Sequence, residues 1–437
     1  MGKRKEIETA LPPALRKTLA LVLAGGRGTR LKDLTNAEAK PAVPFAGKFR
    51  LIDFPLSNCV NSGLRRIGVM TQYRSHTLIQ HVQMGWGFLR AEFNEFIQVW
   101  PAQQQAESES WYMGTADAVY QNLDLIESNE PDYVLILGGD HIYKQDYSKM
   151  LQDHLEKGAD VSVACVEVPL DQATAFGVVG VDSEDIMVTF IEKPANPAPI
   201  PDMPGFAFAS MGIYIFSAPA LIEELRLDAT KPDSFHDFGK DIIPSMVSKG
   251  RKVLAHRFSR SCVRESDKME PYWRDVGTLE SYWEANMDLT SVTPDLNLYD
   301  SNWPIWTYQV QRPAAKFVFD NEERRGQALD SLVSAGCIIS GSTVRRSLLF
   351  SNVRVNSYGI VEDSIILPGT DIGRYCRLKK VIVAQGCRVP DGLVVGEDPE
   401  QDTRRFFRTD RGITLITQDA INRLKPIAVP PPPPAES

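Results

Sequence analysis

Near its N-terminus the chain reads Leu19-Ala-Leu-Val-Leu-Ala-Gly-Gly-Arg-Gly-Thr-Arg-Leu31. The apolar half suits a buried strand, and the glycines that follow let main-chain N–H groups approach a ligand without obstruction by a Cβ atom. Arg27 and Arg30 add positive charge that pairs well with phosphate oxygens. The segment therefore predicts a phosphate-binding turn after a buried strand. The alternative is an ordinary glycine turn that carries two solvated arginines.

This turn matches neither of two common phosphate-binding motifs. It lacks the Gly-Lys-Ser/Thr ending of a P-loop, and Leu31 stands where a dinucleotide-binding fingerprint has its third glycine. The turn alone therefore does not say which phosphate compound is bound, and the rest of the chain has to supply that information.

Composition excludes several classes of protein. The 437 residues exceed one ordinary domain, and 43% hydrophobic with 24% charged residues is typical of a globular protein. A formal net charge of −8 argues against a general nucleic-acid binder and favours small anionic substrates. Six dispersed cysteines include no Cys-x-x-Cys pair, which indicates neither a zinc knuckle nor a disulfide framework. With no recognisable signal peptide or membrane-spanning run, we expect a cytoplasmic protein.

Short apolar segments alternate with segments of helical period from about residue 16 to 290. The strand candidates are Leu19–Leu23, Arg66–Thr71, Tyr133–Leu137, Val161–Val166 and Gly212–Phe216. This alternation predicts a mostly parallel sheet with helices on both faces, whose ligands lie beyond the carboxyl ends of the strands. Because Gly25–Arg30 follows one candidate strand and Gly138-Gly-Asp140 follows another, we expect both loops to face one crevice.

A second domain is indicated by an apolar repeat of six residues. Its members are Leu332, Ile338, Val344 and Phe350 and, after a shift near Asn356, Ile360, Ile366, Ile372, Leu378 and Ala384. Such a period fits neither a helix nor an alternating strand, but it fits a parallel β-helix. The predicted organisation is an N-terminal tail (1–15), a catalytic domain (16–290), a linker (291–320), a β-helix (321–420) and a proline-rich tail (421–437).

Motifs spread over the chain carry a resemblance to a known family. They are Gly25-Gly-Arg-Gly-Thr-Arg-Leu31, Ala39-Lys-Pro-Ala42, Gly114-Thr-Ala-Asp-Ala118, Gly138-Gly-Asp-His141, Glu192-Lys-Pro194 and Trp273-Arg-Asp-Val-Gly277. From about residue 16 to 420 the chain resembles the sugar nucleotidyltransferases and, within them, the bacterial glucose-1-phosphate adenylyltransferases. The resemblance implies a Rossmann-like (GT-A-like) α/β domain followed by a left-handed parallel β-helix. It also implies transfer of AMP from ATP to α-D-glucose 1-phosphate, which gives ADP-glucose and pyrophosphate on the way to glycogen.

Roles for single residues follow from the same resemblance. It implies that Arg30 lies near the triphosphate and that Asp140 and Asp275 bind Mg²⁺, the expected cofactor. Lys193 matches the lysine that binds the phosphate of glucose 1-phosphate. The other positions that match substrate contacts, or the coupling of activation to catalysis, are Gly25, Gly26, Gln72, Trp111, Tyr112, Gly177, Glu192 and Ser210. His141 and the other five histidines are interpreted as structural.

Regulation is implied by the family as well. Lys40 matches a lysine that contacts glycolytic activators, and Arg50, Arg404 and Arg408 could complete an anion site between the two domains. The alternative for the Arg404–Arg408 cluster is a set of solvated charges. The family also implies a homotetramer controlled by metabolites, while the activator and the sensitivity to AMP stay open.

Rival interpretations remain for the activity and for one loop. A sugar nucleotidyltransferase that uses UTP or dTTP would share the phosphate and metal positions, since spacing does not determine the base. An acyltransferase is suggested by the hexapeptide repeat, but no histidine follows His256 to act as its base. A non-catalytic regulatory subunit is the third alternative. The prolines between Pro194 and Pro204 predict a surface loop, either a lid over the sugar site or a tolerated insertion.

Overall fold

The computed structural model describes residues 11–26, 28–35, 38–72, 75–102, 112–174, 176–265, 269–321 and 324–427. Over these ranges the chain forms an α/β domain followed by a parallel β-helix, as the sequence predicts. Within the same ranges, no helix combines the length and the apolar character needed to cross a membrane.

The N-terminal domain is built on one large sheet. The strands of the domain, which form this sheet and two separate two-stranded sheets (β2 with β3, β7 with β13), are β1 (Thr18–Ala24), β2 (Pro44–Phe45), β3 (Phe49–Arg50), β4 (Arg66–Thr71), β5 (Phe96–Pro101), β6 (Tyr133–Gly138), β7 (His141–Tyr143), β8 (Val161–Pro169), β9 (Gly177–Val181), β10 (Met187–Glu192), β11 (Phe206–Ser217), β12 (Val253–Arg257) and β13 (Trp273–Asp275). The large sheet has the order β10-β9-β11-β6-β1-β4-β5, and β8 joins β11 to β12.

Helices cover both faces of this sheet. Residues 11–16 are helical. The α-helices after β1 are α1 (Asp53–Asn61), α2 (His76–Gly85), α3 (Thr115–Tyr120), α4 (Leu123–Ser128), α5 (Tyr147–Lys157), α6 (Leu170–Ala173), α7 (Ala218–Ala229), α8 (Ile243–Ser248), α9 (Phe258–Ser261) and α10 (Leu279–Asp288). Thr29–Thr35, Lys40–Ala42 and Ala91–Phe93 form 3₁₀ turns, and Phe238–Ile242 forms one π turn. Two apolar cores, one on each face of the sheet, fill the space below the helices.

The predicted strands are all present, and the central ones pair as expected. Strand β1 lies between β4 and β6 with parallel pairing on both sides, so the loops after β1 and β6 leave the same edge. Strand β11 is longer than its predicted core and pairs antiparallel with β6, β8 and β9. The sheet therefore combines a parallel centre under the glycine turn with an antiparallel extension that carries Ser210 toward the same edge.

The C-terminal domain is a β-helix of three sheets, which are parallel apart from one short strand near the C-terminal end. Its strands are β14 (Lys316–Val318), β15 (Gln327–Leu329), β16 (Leu332–Val333), β17 (Ile338–Ser340), β18 (Thr343–Arg345), β19 (Leu348–Leu349), β20 (Arg354–Val355), β21 (Ile360–Glu362), β22 (Ile365–Ile366), β23 (Asp371–Ile372), β24 (Arg377–Lys379), β25 (Val381–Val383), β26 (Arg388–Val389), β27 (Val394–Val395), β28 (Phe407–Arg408) and β29 (Thr414–Ile416). Of two short helices, α11 (Pro399–Arg405) lies between β27 and β28, and α12 (Gln418–Asn422) follows β29.

The register of the coils corrects part of the predicted hexad. Leu348 pairs with Leu332 in the coil before it and with Ile365 in the coil after it, so a coil takes 16 or 17 residues and not three full hexads. Each coil therefore shifts the apolar phase. As a result Val361, and not the predicted Ile360, points into the core, and the side chain of Ile360 is 43% exposed.

The two domains share a third apolar core. Phe45 and Tyr282 of the α/β domain pack in one cluster with Leu348, Ile365 and Leu415 of the β-helix. Polar contacts flank it, including Trp283 Nε1 donating to the carbonyl of Asp363 at 2.9 Å and Ser334 Oγ donating to the carbonyl of Gly47 at 2.7 Å. Burial of this joint apolar surface holds the β-helix against the sheet domain.

Candidate active site

A cavity of about 650 Å³ opens at the carboxyl edge of the central strands. The turn after β1, the loop after β6, the end of β10 and the middle of β11 contribute to its wall, as the topology requires. Predicted site residues that line it are Gly25, Gly26, Arg30, Gln72, Tyr112, Asp140, Gly177, Glu192, Lys193, Ser210 and Asp275. Arg27 and Trp111 lie outside the described residues.

The glycine turn is fixed at one point and open at another. Gly28 has a φ of +62°, a backbone conformation that residues with a side chain rarely adopt, and a Cβ atom there would lie only 2.9 Å from Lys40 Cβ. Both the backbone conformation and the lack of space therefore disfavour any other residue at this position. A Cβ atom on Gly26 would have nothing within 4 Å, which leaves its main chain open to the cavity. The turn therefore presents an accessible backbone while its far end packs tightly on Lys40.

Two carboxylates meet because of a short antiparallel pair. Strand β13 pairs with β7 so that Asp275 lies opposite His141, and this places Asp275 beside Asp140, the residue before His141. The Lys40 ammonium bridges the two, at 2.8 Å from Asp140 Oδ2 and 3.0 Å from Asp275 Oδ1. The carboxylate side chains are 29% and 35% exposed, against 7% for Lys40. The positively charged end of the Lys40 side chain therefore lies between the two carboxylates.

Charge and burial oppose each other in this cluster. Burial alone would raise the pKa of the Asp140 carboxyl, but His141 and Lys40 outweigh it and lower that pKa below its usual range. For Lys40, burial alone would lower the pKa of the ammonium, whereas Asp140 and Asp275 together raise it. Asp140 is therefore ionised and Lys40 charged at neutral pH, which leaves an anionic oxygen set able to hold a cation.

These carboxylates fit a magnesium ion. Mg²⁺ prefers oxygen ligands and is commonly held by one or two carboxylates together with water and substrate phosphates. The side-chain ammonium already within 3.0 Å of both acids shows that one cation can contact both of them. Among the described residues, no group of three or more metal-binding side chains occurs, so the protein would supply two ligands and substrate or water the rest.

The residues predicted to bind the sugar phosphate also line the cavity. Lys193 is 64% exposed and lies 3.7 Å from Glu192 Oε1, which leaves most of its ammonium free to bind an anion. Glu192 pairs across β9 and β10 with Gly177, and a Cβ atom on Gly177 would meet Glu192 Oε2 at 2.9 Å. Ser210 lies on β11, and its Oγ accepts a hydrogen bond from the main-chain N–H of Gly212 at 3.4 Å. An ammonium, a carboxylate and a hydroxyl group thus line the same cavity.

Other residues of the cavity were not predicted from the sequence. His141, interpreted there as structural, has Nε2 at 3.7 Å from Asp140 Oδ1 and 4.0 Å from Asp275 Oδ1, and its ring packs edge-on against Trp273. Asp237 also lines the wall, where it accepts hydrogen bonds from Thr115 and from two main-chain N–H groups. The string His236-Asp-Phe-Gly was a possible signal for Asp237, whereas His141 is revealed only by strand pairing.

The predicted effector residues do not share one site. Lys40 lies between the two carboxylates of the active-site cavity, because strong ion pairing holds it there. Arg50 lines a separate cavity of about 550 Å³ between the domains, with Lys48, His81 and Arg312. Arg404 lines a third cavity beside Arg405, Arg423 and Lys425, and it pairs with Glu400 at 3.6 Å. Arg408 lies against Gly412. In this single chain the four residues therefore do not line one common cavity, and their role in binding an effector stays a prediction.

Comparisons with known proteins agree with this architecture. Residues 19–292 match the family described as Nucleotidyl transferase, and residues 313–416 match the family described as GlmU-like, C-terminal hexapeptide. The glucose-1-phosphate adenylyltransferase of Rhodospirillum rubrum is 64% identical over 421 residues, which cover 96% of this chain and 99% of the relative. The proteins of that name from Paramagnetospirillum magneticum and Nitrosospira multiformis are 62% and 60% identical, over 96% and 93% of this chain and 97% and 95% of theirs. The chain belongs to the nucleotidyltransferase family and, within it, to the glucose-1-phosphate adenylyltransferases.

Proposed function

We propose that the protein transfers AMP from ATP to α-D-glucose 1-phosphate and releases pyrophosphate, which makes ADP-glucose for glycogen or a similar α-glucan. The observation that carries this proposal is the single cavity that brings together the open glycine turn, two carboxylates and the Lys193 ammonium. The names of relatives at 58–64% identity over nearly the whole chain support the same substrates.

The chemistry needs no protein nucleophile. A phosphate oxygen of glucose 1-phosphate forms a bond to the α-phosphorus of ATP while the bond from that phosphorus to the bridging oxygen breaks, and pyrophosphate leaves with the electron pair. Lys193 would bind the sugar phosphate, Arg30 would bind the triphosphate, and the main chain at Gly25 and Gly26 would lie against the nucleotide. The protein therefore acts by alignment and by offsetting negative charge.

Asp140 and Asp275 would hold Mg²⁺ in this proposal. When bound, the ion supplies positive charge that offsets the charge on the phosphates. Glu192 and Ser210 would bind hydroxyls of the sugar, Glu192 by accepting hydrogen bonds and Ser210 by accepting or donating them. Gln72 and Tyr112, which also line the cavity, would complete the substrate contacts. Phe190 and Trp273 give the wall apolar surface that excludes water.

Base selectivity gives the direct test of the function. Purified protein is incubated with glucose 1-phosphate, Mg²⁺ and each of ATP, UTP and dTTP in turn, and pyrophosphate release is measured. We expect ATP to be used at least tenfold better than the other two. Preference for UTP or dTTP would favour the rival nucleotidyltransferase activity, and no release with any triphosphate would favour a non-catalytic regulatory subunit.

The proposal includes regulation, assembly and location. A phosphate-bearing or carboxylate-bearing metabolite of glycolysis would activate a homotetramer, and the cavity that holds Lys48, Arg50 and Arg312 supplies suitable cations. A panel of fructose 6-phosphate, fructose 1,6-bisphosphate, pyruvate and 3-phosphoglycerate, together with light scattering for mass, tests both points. Six free cysteine thiols support a location in the reducing cytoplasm.

A further inference from the structure

The contact between Lys40 and the two acids has a consequence for metal binding. The ammonium lies 2.8 Å from Asp140 Oδ2 and 3.0 Å from Asp275 Oδ1, while a magnesium ion shared by the same carboxylates would lie about 2.1 Å from each oxygen. Both cations therefore require the same space between the acids. If the ammonium and the metal ion were both beside these carboxylates, their positive charges would also repel each other strongly in a partly buried site.

The surroundings restrict how Lys40 can respond. Its main chain is held in the 3₁₀ turn Lys40–Ala42, where the N–H of Val43 donates to the Lys40 carbonyl at 3.0 Å. Its Cβ atom is packed against the Gly28 main chain. Movement is therefore confined to the flexible outer part of the side chain, which can turn the ammonium away from the carboxylates without a change in fold.

We propose that the Lys40 ammonium is a resident cation of the Asp140–Asp275 pair, which a divalent metal displaces on binding. The inference rests on the proposed function, because it takes these two acids to be the metal ligands. Lysine and metal then compete for the same oxygens. This competition weakens the binding of metal to the protein without substrate. While no metal is bound, the Lys40 ammonium holds the two carboxylates close together and so acts as a positioning residue.

The first test measures affinity in the absence of nucleotide. Mn²⁺ is titrated into the full-length protein, and free Mn²⁺ is followed by electron paramagnetic resonance. Lys40→Met removes the competing charge and keeps the stem of the side chain, so we expect it to bind Mn²⁺ at least tenfold more tightly than the wild type. Lys40→Arg keeps a cation and should stay within about threefold of the wild type.

Matched variants give the controls. Lys157→Met removes a lysine that pairs with Glu184 on the surface, at 3.3 Å, and should leave the affinity for Mn²⁺ unchanged. The gain from Lys40→Met should disappear when Asp140→Asn is added. A folded Lys40→Met protein that binds Mn²⁺ no more tightly than the wild type would overturn the proposal, and so would a gain that survives Asp140→Asn.

A second measurement uses the wild type and does not depend on how the variants fold. Lysines are acetylated in trace amounts with and without Mg²⁺, and each site is quantified by mass spectrometry. We expect Mg²⁺ to increase modification of Lys40 at least threefold and to leave Lys157 unchanged. An unchanged Lys40 overturns the displacement. Assay of ADP-glucose formation on the same wild-type sample separates this failure from failure of the proposed function.

Discussion

Asp140 and Asp275 are separated by more than a hundred residues, and they meet because two three-residue strands pair antiparallel at the rim of the cavity. At the residue scale the site is a balance of charges: two carboxylates, the Lys40 ammonium between them, and Lys193 and Arg30 on the surrounding wall. The motifs around Asp140, Lys193 and Asp275 were readable from the sequence. The place of Lys40 was not, because it depends on how the turn after β1 folds back onto the acids.

Replacing Lys193 tests the predicted contact with the sugar phosphate. Lys193 is exposed, and its nearest charged partner is Glu192 at 3.7 Å, so Lys193→Gln should leave the fold intact. A charge-assisted hydrogen bond to a phosphate contributes about 1.5–3 kcal/mol, so we expect the KM for glucose 1-phosphate to rise by about 10- to 100-fold. The KM for ATP should change less than about threefold in the same steady-state assay. Equal increases for both substrates would contradict the assignment.

His154 predicts an acid-sensitive contribution to stability. Burial lowers its pKa to about 4, and its ring nitrogens lie near Ser162 Oγ and Ser217 Oγ, at 2.9 and 3.2 Å. The unfolded chain, with an ordinary histidine pKa of about 6.5, binds the proton more readily between these values, so the stability present above pH 6.5 falls as the pH drops toward 4.

The size of this effect can be measured. Between pH 7 and pH 5 we expect His154 to contribute a loss of about 2 kcal/mol in the free energy of unfolding. His154→Gln should be less stable at pH 7 yet show a smaller loss over this pH range in urea titrations. A variant with the same pH slope as the wild type would show that His154 does not carry the effect.

At the scale of the element, the β-helix shows what a period can and cannot reveal. The six-residue repeat correctly predicted a parallel β-helix, because stacked coils must bury one apolar residue per side. The repeat did not reveal that the coils are 16 or 17 residues long, so that in some coils the residue that points into the core lies one position away from the predicted one. Likewise, the strands of the large sheet were readable, whereas the antiparallel extension of β11 depends on tertiary pairing.

A pair of isoleucine variants tests the corrected register. Ile372 is fully buried in the β-helix core, whereas the side chain of Ile360 is 43% exposed. Ile372→Ala should cost about 2–5 kcal/mol of stability through lost burial and the cavity left behind. Ile360→Ala should cost less than about 1 kcal/mol in the same urea titration. Similar losses at both positions would mean that the inward residues are wrongly assigned.

The whole molecule is joined by the apolar core that both domains share. Phe45, Tyr282, Leu348 and Ile365 belong to it, so neither domain retains its full core without the other. The cavity between the domains lies beside this core and includes Arg50 and His81. His81 Nε2 donates a hydrogen bond to Oδ1 of the buried Asp53 at 2.6 Å, and Asp53 Oδ2 accepts one from the main-chain N–H of Arg50 at 2.8 Å. A ligand in that cavity would thus contact a network tied to the α/β domain.

Coupling of the domains should be visible in thermal unfolding. Ile365→Ala removes side-chain volume from the shared core, so we expect it to lower the unfolding temperature of both domains together. Calorimetry should show a single transition in the wild type and in the variant, shifted by several degrees. Two resolved transitions, of which only one moves, would mean that the domains unfold independently.

The central claim is that Asp140 and Asp275 act together on one cation in the synthesis of ADP-glucose. The most direct measurement compares kcat for the wild type, Asp140→Asn, Asp275→Asn and the double variant, with radiolabelled glucose 1-phosphate, ATP and saturating Mg²⁺. We expect kcat to fall about 10²-fold or more in each single variant while the circular dichroism spectrum is retained. The kcat of the double variant should be no lower than that of the less active single variant, because both acids act on the same cation. Near-normal kcat in either single variant, or losses that multiply in the double variant, would contradict the account.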